Sequence, residues 1–184
     1  KEVSPIPFKR IPYKEAMLKY GSDKPDLRNP LLIEDLTAIL SKSTFEPFKT
    51  LNIRGIKVDN IDKSNSWYKK IEEYIKSLGA TGMSYIKVNE DMTFKSSIDK
   101  FLTDDLRKEL IEKCHLNKGN ALFILADNKH KIDKLAGLLR TKLDNELDLI
   151  NKNKFEFCII NDFPMYEYNE EENTWDFGHN PFSM

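Results

Sequence analysis

The chain has 184 residues, with 29 Lys and Arg against 30 Asp and Glu, a formal net charge of -1 and 40% hydrophobic residues; this is the make-up of a folded domain, not of a disordered tail. The charge balance excludes a basic footprint over the whole protein and leaves nucleic-acid contact to a local patch. Cys114 and Cys158 are the only cysteines and read as two buried thiols in a reducing, cytoplasmic compartment, while the lack of any run of about 18 apolar residues argues against a membrane helix and no signal peptide is visible.

Residues 1–12 are punctuated by proline and should be extended. Pro12 suits the first turn of a helix over Tyr13–Tyr20, whose apolar side is Ala16, Met17 and Tyr20, with Gly21 as its C-cap. Gly21-Ser22-Asp23-Lys24-Pro25-Asp26-Leu27-Arg28 is a dense polar turn: either a solvated surface turn, or an ordered loop whose charges pair with each other or with a ligand. Leu31-Leu32-Ile33 reads as a short strand, and Asp35 as the cap of a helix carrying Leu36, Ile39 and Leu40. Over 44–58 the apolar points alternate loosely, and Gly55 suggests a turn or bulge between two strands.

Ser64 or Ser66 should start a stronger helix with Trp67, Ile71, Tyr74, Ile75 and Leu78 as its stripe, ended by Gly79. In Ser84–Asn89, Ile86 and Val88 face in while Tyr85 and Lys87 face out, as in a half-exposed strand. Thr103 caps the next helix, with Leu102, Leu106, Leu110, Ile111 and Cys114 on its inner side. Gly119-Asn120 turns the chain into Ala121–Ala126, an apolar run fit for a central strand. Asp127 or Asn128 should cap the longest helix, with Ile132, Leu135, Ala136, Leu139 and Leu143 inward. Residues 144–154 then link to an apolar strand that runs into Asn161-Asp162-Phe163-Pro164-Met165. With the aromatic run that closes on His179-Asn180-Pro181-Phe182, this reads as one hairpin bordering a small-molecule site. The order of elements gives an α+β fold without internal repeats.

Catalytic patterns are scarce: the chain has no Gly-rich dinucleotide or phosphate loop and no Cys/His set with metal spacing. His115 and His130 read as helix-end histidines that meet a dipole or solvent. His179 differs, because a proline two residues on fixes its turn, and its imidazole could hydrogen-bond a carboxylate. Asp162 and Glu167 lie beside it, most simply as hairpin-end carboxylates satisfied locally. Lys63, Lys69, Lys70, Lys129, Lys131 and Lys134 are the candidates for touching RNA phosphates.

Two segments together resemble bacterial-type aspartyl-tRNA synthetases. They are Tyr13–Arg28, which includes the string Gly-Ser-Asp-Lys-Pro-Asp-Leu-Arg, and Phe157–Tyr166 followed by His179-Asn-Pro-Phe182. Tyr85–Asn89, Lys100-Phe101-Leu102 and Ala126–Lys129 fall between them in the family's order. The resemblance covers essentially the whole chain. It implies the insertion module known as the GAD domain, a mostly antiparallel sheet flanked by helices, set between the second and third class II motifs.

On this resemblance, residues 1–29 are a catalytic-domain edge, 30–150 the insertion, and 151–184 the return into a catalytic-domain hairpin. The cut-looking ends fit a piece of a larger protein. The family forms aspartyl-adenylate from aspartate and ATP with magnesium and passes the aspartyl group to tRNA, as a homodimer. The strings that hold ATP are absent here, so this piece is expected to be inactive by itself and free of ATP and magnesium, and with the family's dimer contacts outside it, monomeric. His179 stands where the family contacts aspartate. The family's following histidine is Asn180 here, which cannot be protonated and puts any charged role there in doubt. The alternative is a free-standing tRNA-binding module like that of the archaeal Glu-tRNA amidotransferase.

Overall fold

The computed structural model describes residues 1–169 and 172–178. Its elements in chain order are β1 (Glu2–Val3), β2 (Lys9–Pro12), α1 (Tyr13–Tyr20), β3 (Ile33–Asp35), α2 (Thr37–Leu40), α3 (Pro47–Thr50), β4 (Asn52–Val58), α4 (Asn65–Ser77), β5 (Gly82–Val88) and β6 (Phe94–Lys95). A 3-10 turn (Asp99–Phe101), α5 (Asp104–Cys114), β7 (Ala121–Asp127), α6 (Ile132–Leu147), β8 (Lys154–Phe155), β9 (Cys158–Asn161), β10 (Tyr166–Asn169) and β11 (Thr174–Phe177) follow.

The centre is β7. All seven of its residues are buried, because both faces of the sheet are covered. Ala121, Phe123 and Leu125 pack with Tyr68, Ile71 and Ile75 of α4 and with Ile132, Leu135, Ala136, Leu139 and Leu143 of α6. Leu122, Ile124 and Ala126 pack on the other side with Leu36 and Leu40, with Phe48, and with Leu106, Leu110 and Cys114 of α5. A strand alternates its side chains, so one apolar run can feed both cores. The sheet order is β3-β4-β7-β5-β6, and every pairing in it is antiparallel. β4 and β5 therefore run in the same direction, joined through α4, and β7 fills the slot between them. The fold is α+β, a mostly antiparallel sheet flanked by helices.

Several local expectations hold to the residue. Helix α1 begins after Pro12, and Gly21 closes it with φ 66°. The Ser64 and Thr103 side chains accept from the backbone N–H of Trp67 and Leu106, three residues on. Others need correction. Residues 44–58 form α3 and then one strand, not two strands. Gly55 lies inside β4, paired across to Glu34 and Ile124. It makes room rather than a turn, since a Cβ there would come within 2.4 Å of Leu36 Cδ1. The strand expected from Leu31 is β3 and starts at Ile33. Asp35 still accepts from the Thr37 N–H at 3.0 Å, but α2 begins only at Thr37.

Two further corrections concern what is buried. The stripe of α4 misses Tyr68, which is fully buried and stacks on Tyr85 at 4.4 Å and on Phe123 at 5.6 Å; Leu78 instead stays 42% exposed. Helix α6 continues to Leu147, into the stretch read as a linker. Cys114 is buried and its thiol is pushed up to about 12 by desolvation, whereas Cys158 is only half-buried. No helix among the described residues is long and apolar enough to cross a membrane.

The largest departure is at the end of the chain. Residues 158–161 do not belong to a hairpin: β9 pairs in parallel with β2, and β8 in parallel with β1. The hairpin is β10–β11, Tyr166 opposite Phe177 and Tyr168 opposite Trp175. A small third core of Ile11, Ala16 and Tyr20, joined by Leu27, Cys158 and Ile160, seats α1 on the β2–β9 pair. On the opposite side, Phe155, Phe157 and Ile159 are 40–48% exposed.

Helix α6 meets the end of α1 with no side chain in between. A Cβ on Gly137 would lie 2.4 Å from the Gly21 carbonyl oxygen, and one on Gly21 equally close to Gly137 Cα. Neither neighbour is a flexible side chain. Gly137→Ala should therefore destabilise the chain by about 1–3 kcal/mol, read as a lower urea midpoint with an unchanged m-value.

Candidate functional site

The polar turn between α1 and β3 is an ordered loop. Lys24 donates its backbone N–H to Ser22 Oγ at 3.0 Å and its ammonium to Asp23 Oδ2 at 2.6 Å. Arg28 grips Asp26 with two parallel bonds of 2.9 and 2.7 Å, and this holds the Asp26 carboxyl below its ordinary range. The expectation of charges pairing with each other is met by the loop's own residues.

What fixes the loop in space was not visible in its sequence. Arg140, only 3% exposed, donates from Nε to the Leu31 carbonyl at 2.6 Å. Its Nη2 donates to the Asp26 and Asn29 carbonyls at 2.9 and 2.8 Å. Asn29, also buried, returns a bond to the Arg140 carbonyl at 3.3 Å and accepts from Leu31 N–H at 2.9 Å. The guanidinium stands 5.2 Å from the Tyr20 ring centroid. A rigid fork of donors suits three backbone carbonyls that would otherwise be buried without partners. Arg54 does similar work one strand over, bonded to Asp133 at 2.7 Å and Asp35 at 2.9 Å. The one sequence signal for these residues is spacing: Asp133, Gly137, Arg140 and Asp144 fall four, three and four apart, on one helical face beside the apolar one.

Above the loop lies a cleft of about 760 Å³. Tyr13, Asp23, Lys24, Asp26, Lys134 and Glu167 are on its walls, with Gly178 at its edge and Arg140 and Asp144 toward α6. Tyr13 donates its phenol proton to Glu167 Oε1 at 2.7 Å. Burial first, and then this carboxylate, raise the Tyr13 pKa well above its ordinary value. Glu167 thus sits at the cleft. Asp162 does not: it is exposed, with φ 57°, and accepts from Asn161 Nδ2 at 2.8 Å. His179 and Asn180 lie outside the described residues. Gly178, just before them, is anchored by its N–H to the Met165 carbonyl at 2.9 Å.

The other candidates divide. His115 is the left-handed cap of α5, and His130 packs its ring 4.8 Å from Tyr168. The six lysines do not form one patch. Trp67 near the start of α4 bonds Glu146 near the end of α6, so the two helices run antiparallel. Lys63, Lys69 and Lys70 therefore sit at one end of this layer, and Lys129, Lys131 and Lys134 at the other. A 16-residue α6 separates them by roughly 20 Å.

With this geometry in place, comparison with known proteins defines first the class. Residues 49–136, from α3 into α6, match the GAD domain family. The matched stretch holds β4, β5, β6, β7 and the helices between them. More particularly, the whole chain is similar to aspartate–tRNA(Asp/Asn) ligases. It is 46% identical over 190 aligned positions to that of Rickettsia bellii (strain OSU 85-389), 45% to that of Rickettsia felis and 44% to that of Rickettsia prowazekii. The alignments take in 100% of this chain and 31–32% of each relative. The chain spans about a third of the length of the curated relatives it matches.

Asp144 carries a prediction. It is 3% exposed, and among the described residues its Oδ1 has no hydrogen-bond partner. Burial raises its pKa above the ordinary 3.8, so the ionised form is penalised in the folded state. The folded chain then binds more protons than the unfolded one, and stability falls as pH rises through the window above 3.8. Asp144→Asn removes that penalty. It should raise the thermal midpoint at pH 7, with the gain shrinking toward zero as pH is lowered past the window.

Proposed function

We propose that this chain is the inserted middle of an aspartate–tRNA ligase, with fringes of the catalytic domain at both ends. Residues 1–29 lead out of that domain, 30–150 form the insertion, and 151–184 lead back in. The observation that carries this is the pairing of the outer segments: β1 lies along β8 and β2 along β9, both parallel, on the two sides of the inserted unit. Two-stranded parallel pairs with one bare apolar face are not independently stable. The exposed Phe155, Phe157 and Ile159 fit strands meant to be covered by more of the same polypeptide, and they speak against a free-standing module.

In this reading the longer protein, a class II ligase of the cytoplasm working as a homodimer, activates aspartate with ATP and magnesium. It then transfers the aspartyl group to tRNA, for both tRNAs named in its relatives. His179 contacts the aspartate carboxylate by hydrogen bonding and charge. Asn180 keeps only the hydrogen-bonding part of its family counterpart. The chain's own contribution is architectural: α6 holds the Gly21–Arg28 loop through Arg140, and that loop forms the wall facing Tyr13 and Glu167.

The test is aspartate-dependent exchange of pyrophosphate into ATP, run on the 184-residue chain beside the longer polypeptide. Exchange by the longer protein and none by the chain is expected. Sustained exchange by the chain, or none by the longer protein, overturns the reading.

A further inference from the structure

Tyr13 is the first residue of α1, and it reaches both sides of the turn that joins β9 to β10. Its ring stands 5.1 Å from that of Phe163. Its hydroxyl donates to Glu167 Oε1 at 2.7 Å, across 154 positions of sequence. Glu167 stands opposite Asp176 in the β10–β11 hairpin, where two facing carboxylates are destabilising. The phenol holds a side chain that this repulsion alone would push away. The Glu167 side chain in turn lies over Gly178. A Cβ on Gly178 would come 2.7 Å from Glu167 Cγ, 3.2 Å from its Cδ and 3.3 Å from the Pro164 carbonyl oxygen. Gly178 also donates its N–H to the Met165 carbonyl at 2.9 Å. A phenol, a carboxylate and a turn thus fix the backbone at Gly178, and the next residue in the chain is His179. Tyr13 itself is fixed from the far end of its helix, where Gly21 meets Gly137.

We propose that Tyr13 is a positioning residue for the aspartate site: through Glu167 it holds Gly178 in place, and with it the point from which the chain continues to His179. This deepens the ligase reading and rests on it. In this role neither Tyr13 nor Glu167 touches the substrate. They fix a stretch of backbone, and a binding group misplaced by about 1 Å can cost on the order of a hundredfold.

The experiment measures aspartate-dependent pyrophosphate exchange by the longer polypeptide over ranges of aspartate and ATP, beside its thermal midpoint. Tyr13→Phe deletes the donated proton and keeps the ring. It should raise the aspartate KM about tenfold, with kcat and the ATP KM within about twofold of the parent and the midpoint close to it. Glu167→Gln still offers an oxygen to the phenol and should stay near the parent, whereas Glu167→Ala should match Tyr13→Phe. Gly178→Ala displaces Glu167 by another route, so Tyr13→Phe/Gly178→Ala should be no worse than the worse single variant. Tyr166→Phe removes a hydroxyl from the same hairpin, on a ring 50% exposed beside Phe177, and should change nothing. An unaltered aspartate KM in Tyr13→Phe overturns the role. So does an equal rise in both KM values with a lowered midpoint, an equal effect of Tyr166→Phe, or a Glu167→Gln as impaired as Glu167→Ala. A parent without exchange brings down the ligase reading and this role with it. A parent that exchanges beside an unaffected Tyr13→Phe brings down the role alone.

Discussion

Gly21 and Gly137 touch through their backbones, and the placement of everything outside the main sheet follows from that contact. Helix α6 has two jobs that compete for its surface. Its apolar face seals β7 with Ile132, Leu135, Ala136, Leu139 and Leu143. The adjoining face, from Asp133 through Gly137 and Arg140 to Asp144, receives α1 and the loop after it. A side chain at Gly137 would lift α1 away and take the Asp26, Asn29 and Leu31 carbonyls out of reach of Arg140. Close approach comes first, and the buried guanidinium then satisfies the carbonyls brought near.

This arrangement joins two parts of the molecule with different characters. The five-stranded sheet is covered on both faces and complete in itself. The β1–β8 and β2–β9 pairs are short and parallel, and α1 seats on the second of them. A helix that is rooted in the first part and stapled to the second makes the position of the polar loop a property of the inserted unit. The cleft walls come from both: the loop on one side, Tyr13 and Glu167 on the other.

The buried polar groups divide into those fully answered and those not. Arg140 and Arg54 have their donors met by carbonyls and carboxylates. Asp144 and Tyr68 each keep an atom without a partner among the described residues, in an interior where such atoms are uncommon. Asp144 answers by a raised pKa.

Much of this protein was determined by its sequence alone, wherever the deciding interactions are local. Pro12 and Gly21 bound α1, Ser64 and Thr103 start their helices, and the run 121–126 is central, because caps, fixed φ values and apolar periodicity act within a few residues. The resemblance carried by Gly-Ser-Asp-Lys-Pro-Asp-Leu-Arg also pointed to the family before any coordinates. Only the tertiary structure decided the rest. Gly55 reads as a turn until Leu36 is seen lying on it. Residues 158–161 read as half of a hairpin until β2, some 150 positions earlier, takes them as a parallel partner. Arg140 shows only its helical spacing in the sequence, since the Asp26, Asn29 and Leu31 carbonyls it holds are distant in the chain and become neighbours only when α6 packs against the loop.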